Sequence, residues 1–82
     1  MNKDWVLFHL KEALEEIENT IKDIEKDLEY EYEDYSVAMA HLYHHINTAW
    51  NSRDYSEEEA EESSKNKFSE WRQFPTDIDM SC

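Results

Sequence analysis

The sequence predicts an all-α fold: an antiparallel helical hairpin with a third, weaker helix. Three observations carry that expectation. Apolar residues recur at alternating three- and four-residue spacing through the first third of the chain. There is no Gly in 82 residues, which removes the favoured two-residue turns of antiparallel β structure. Ser56 and Glu59 form a Ser-x-x-Glu capping box, the signature of a helix start.

The first helix is expected over residues 5–33. Leu7, Leu14, Ile21 and Leu28 fall at a positions of a heptad, and Leu10, Ile17 and Ile24 at d positions. Asp4 can serve as the N-cap, and Val6 and Ala13 widen the stripe. Trp5 and Phe8 lie off it and need a different neighbour near the N-terminal end. At 1.5 Å per residue such a helix is ~43 Å long.

An acidic tyrosine run, Glu29 to Ser36, links the first helix to the second. No Gly or Pro fixes the turn, and either Asp34 or Ser36 can cap the second helix. That helix is expected over 37–53. Its line of Ala38, Leu42, Ile46 and Ala49 suits the seam of the first helix, so the two should pack as a hairpin.

The third helix is expected over 57–73, with Ala60, Ser64, Phe68, Trp71 and then Phe74 as its inward line. Glu57 to Asn66 is nearly all polar and holds only by docking. Pro75 stops the helix, and residues 76–82 form a loose tail. All 82 residues read as a single helical domain.

Charge sharpens the picture. The formal net charge is −13, from 21 acids against 8 bases. Yet Ser36 to Ser52 contains no Asp, Glu, Lys or Arg. Unpaired charges are costly to desolvate, so the gap points to burial on more than one face. One hairpin partner covers only one face. The sequence therefore predicts a homodimer forming a four-helix-type bundle, with Val37, His41, His44, His45, Thr48 and Trp50 at the interface.

Composition excludes several chemistries. Without Gly there is neither a phosphate-cradling loop nor a dinucleotide-binding fingerprint. One Cys, Cys82, allows no internal disulfide framework and no Cys-based zinc finger. No stretch is long and apolar enough for a membrane span, and the N-terminus lacks the apolar run of a signal peptide, so a cytoplasmic protein with no membrane partner is expected. Nucleic acid would be repelled by this charge. No catalytic constellation assembles, so the chain is not expected to be an enzyme, and no cofactor is expected.

The function that fits is a small, acidic, non-catalytic oligomeric adaptor or regulatory interaction protein, partnered by itself and by another protein. Two alternatives have a physical basis. His41 and His45, four apart on one helical face, can share a metal ion, although no third ligand stands at a telling spacing. An acidic helical surface can also act as an inhibitor or nucleic-acid mimic toward a basic partner. Burying the histidines neutral would make the fold acid-sensitive.

Overall fold

The computed structural model describes residues 1–81; Cys82 lies outside them. Three helices follow in order: α1 (Lys3–Lys26), α2 (Tyr32–Asn51) and α3 (Glu57–Trp71). Among the described residues there is no strand. The chain is all-helical, and α1 packs antiparallel against α2. No helix of the described residues is long and apolar enough to cross a membrane.

The helix ends are set by side chains. α1 begins two residues earlier than expected, because Asn2 rather than Asp4 is the cap. Asn2 Oδ1 accepts from the Trp5 amide at 3.1 Å. Asn2 also donates from its amide to the Arg53 carbonyl (2.7 Å) and from Nδ2 to the Tyr55 carbonyl (3.0 Å). One residue thus caps α1 and ties it to the α2–α3 linker, satisfying amides a helix start leaves unpaired.

The first turn lies earlier than the sequence pattern suggests. α1 stops at Lys26 instead of continuing to Glu33, and α2 starts at Tyr32 instead of Val37. The Asp27 carboxylate accepts from the Glu29 amide (2.9 Å), and its carbonyl accepts from the Tyr30 amide (3.1 Å). Asp does this readily, which makes a turn without Gly or Pro. The Glu31 amide then donates to the Asp34 carboxylate (3.0 Å), so the acidic run caps α2 from inside its own first turn. Leu28 is left at the turn tip, 101% exposed, and is not part of the seam.

The α3 start matches the sequence expectation. Ser56 Oγ accepts from the Glu59 amide (3.2 Å), and Glu59 accepts from the Ser56 amide (3.4 Å). The helix ends at Trp71, two residues short of the expected limit. The expected loose tail is tied down at one point. The Trp50 indole donates to Asp77 at 2.8 Å and holds that carboxyl below the usual carboxylate range. Arg53 stacks on the Trp50 ring, 4.0 Å from its centroid.

The direction of the apolar seam is the main departure. His9 and Ala13 are the buried residues of α1, flanked by half-buried Val6, Glu16 and Thr20. These face α2, where the small residues Thr48 and Ala49 and the capping residue Ser52 are buried, Ser52 against Trp5 of α1. Small residues let two helix backbones approach closely. The Leu and Ile seam is turned sideways, onto the adjacent face of the hairpin. Its members are all exposed, from 38% at Ile17 to 53% at Leu14. Among the described residues the buried apolar set is Ala13, Ala49, Ala60 and Trp71.

Candidate functional site

The hairpin has two faces, and α3 covers only one. On the covered face, Trp5, the residue off the seam, donates from its indole nitrogen to Ser52 Oγ at 2.7 Å. It meets the Trp71 ring edge-on with centroids 6.2 Å apart. Trp71 also stands edge-on to Tyr55 at 5.1 Å. Edge-to-face pairs of this kind stabilise beyond the area they bury. Trp71 therefore pins α3 to the junction of α1, α2 and the linker.

Two asparagines one turn apart on α2 complete the docking. Asn47 Nδ2 donates to the Arg72 carbonyl at 2.8 Å. Asn51 Nδ2 donates to the Trp71 and Gln73 carbonyls, both at 2.7 Å. These are carbonyls that a helix C-terminus leaves without intrahelical partners. Replacing Asn51 with Ala should cost about 1 kcal/mol or more, because the part-buried Trp71 carbonyl loses its donor. Chemical denaturation at fixed protein concentration checks it.

The histidines gather beneath α3. His9 Nδ1 and His45 Nδ1 are 3.1 Å apart, so one ring donates and the other accepts. His44 lies 4.3 Å from the Phe68 ring centre. His41 is exposed, its Nδ1 4.0 Å from a Glu16 carboxylate oxygen. With Trp5, Thr48, Ser64, Phe68 and Trp71, all four histidines line a cavity of about 290 Å³. Nevertheless, among the described residues no three His, Cys, Asp or Glu side chains converge as a metal site needs.

Burial acts on two of these histidines, His9 and His44. It pushes His9 down to about 4, and the neighbouring His45 and His44 add to the shift. His44 is also lowered, first by burial and then by the Arg72 charge. His9 Nε2 and His44 Nε2 are buried with no protein partner. His9 is the member of this group that the α2 histidine spacing does not point to. Its register with Val6 and Ala13 on α1 is the signal in the sequence that places it here.

The residues named from the charge gap divide. His44, His45 and Thr48 are covered by α1 and α3 of the same chain. Trp50 is half-buried beside Arg53 and Asp77. Val37 and His41 are exposed. Part of the gap thus has an internal cause, since α3 and its C-terminal end cover His44, Asn47, Thr48 and Asn51. The first half of α2 stays wet along its histidine edge.

Among the described residues no helix covers the other face of the hairpin. Leu7, Leu10, Leu14, Ile17, Ile21 and Ile24 run along it. Beside Leu10, Ile46 and Ala49 of α2 share a shallow groove with Val6, Trp50 and Ile78 from the tail. Beside Ile24 stand Tyr32 and Tyr35. The exposed side chains of the seam adjoin Ile46 and Tyr35 of α2, and a continuous exposed apolar surface of this kind marks an interaction site.

Comparison with protein-family models, with curated proteins and with solved structures finds no match for this chain.

Proposed function

We propose that the chain is a small non-catalytic adaptor or regulatory interaction protein, and that its working surface is the Leu/Ile face of the hairpin. One observation carries the reading: the longest apolar stripe in the sequence lies on the surface of the folded chain and not in its core. The buried apolar set of three alanines and one tryptophan is thin for 82 residues, while six Leu and Ile side chains of one heptad seam meet solvent. A heptad seam is shaped to receive another helix, because each a or d side chain fits between four residues of a facing helix. The acidic flanks keep such a surface soluble and discourage unselective contacts.

Site-specific photo-crosslinking in living cells tests this. A benzophenone side chain at Leu14 should yield protein–protein adducts, and one at Asn19, on the polar side of α1, should not. Equal yields at both sites, or none at Leu14, would end the interaction reading.

A further inference from the structure

Resting on that reading, we infer that the occupant of the Leu/Ile face is a second copy of this chain, seated antiparallel, so that two hairpins form one four-helix core.

The seam is complementary to itself. In an antiparallel pair, an a residue of one helix shares a layer with a d residue of the other. Running α1 against itself gives three such layers, each repeated by the two-fold axis. Leu7 meets Ile24, Leu10 meets Ile21, and Leu14 meets Ile17. Each is Leu against Ile, with no polar residue in any layer. Such an isologous contact closes after two copies and leaves no edge for further growth.

Charge selects the antiparallel sense. The turn end of each hairpin carries Asp27, Glu29, Glu31, Glu33 and Asp34 with no base between them. A parallel pair would set two such ends side by side in a chain already at −13. The antiparallel pair puts them at opposite ends. In the layer register above, Lys3 of one copy stands level with Leu28 of the other, between Asp27 and Glu29. Lys11 stands beside Glu18 across the seam. Like-charge neighbours in this register, Asp4 with Asp27 and Glu25 and Glu15 with Glu16, fall at the rim or away from the seam. Rim charges act mainly on orientation and rate, and the apolar layers supply the affinity.

Ile46 beside Leu10 and Tyr35 beside Ile24 extend the contact to α2, which places all four hairpin helices around one core.

Disulfide trapping tests the arrangement. In a Cys82→Ser background, Leu10→Cys and Ile21→Cys chains are prepared separately, then mixed and oxidised. The mixed pair should cross-link as the dominant covalent product, and each chain alone should cross-link poorly. Stronger self-linking of the single variants would overturn the antiparallel register. As a second measurement, Lys11→Glu should raise the dimer dissociation constant about threefold or more at low salt, and adding Glu18→Lys should restore it. An unchanged constant also counts against the register. No cross-link in any mixture, with the chain monomeric throughout, would overturn the second copy as occupant. Leu14 adducts to a different protein would then leave the interaction reading standing, and absence of both would remove both.

Discussion

Replacing Trp71 with Ala should release α3 from the hairpin. Trp71 is 4% exposed and is the only large side chain among the buried apolar residues described. It holds Trp5 and Tyr55 edge-on, and its own carbonyl is held by Asn51. Truncating a buried Trp to Ala typically costs about 3–5 kcal/mol, from lost transfer energy plus the cavity left behind. A domain of this size has about 4–12 kcal/mol in total, so the loss removes a large share. The first half of α3 cannot compensate, because Glu57 to Asn66 is nearly all polar. Urea unfolding at fixed protein concentration should show the midpoint collapse, and the native baseline should lose helical signal on the scale of α3. A shift under about 1 kcal/mol would mean that α3 is held by something other than this junction.

Acid should destabilise the fold through His9. A histidine kept neutral by burial binds its proton less readily in the folded chain than in the unfolded one. Its folded value is about 4, against about 6.5 when unfolded. Between those values the unfolded chain holds more protons, so stability falls as pH falls through that window. The contribution is fully present above pH ~6.5 and is lost toward pH 4. Its size is on the order of 2 kcal/mol, after allowance for partial solvent screening. His44 shifts in the same direction and adds to the slope. Acidification also relieves carboxylate repulsion, so wild type is best compared with His9→Gln, which keeps a side chain able to hydrogen-bond His45. The wild-type melting temperature should drop more steeply than the variant's from pH 7 to 4.5. Parallel curves would show that the His9–His45 contact does not govern the acid response.

The sequence and the structure agree where the signal is local. The Ser56–Glu59 capping box, the inward placement of Ala60 and Trp71, and the need of Trp5 for a neighbour off the seam were legible from local spacing, whereas Phe68 and Phe74 of the same expected inward line are exposed. The α1–α2 turn was not, because Asp27 makes it through side-chain and backbone hydrogen bonds without Gly or Pro. The seam itself was legible, but its partner was not. Periodicity identifies an apolar stripe without saying which helix fills it. Here Ala13, Ala49 and Ser52 let α1 and α2 meet on a narrow, small-residue line beside the stripe. Within the charge gap, Asn47, Thr48, Ala49 and Ser52 are buried in the chain's own fold, which periodicity and charge alone do not distinguish from cover by another molecule. The candidate surface was thus hidden in the strongest pattern of the sequence, assigned to an internal contact that smaller residues make instead.

The exposed Leu and Ile seam is most directly tested by sedimentation equilibrium of the whole chain from about 1 to 100 μM at neutral pH, a range that separates mass action from fixed assembly. The mass should approach twice the 10.0 kDa of one chain as concentration rises, and Leu14→Glu with Ile21→Glu should return it to one. A single 10.0 kDa species across the whole range would contradict closure of that face by a second copy.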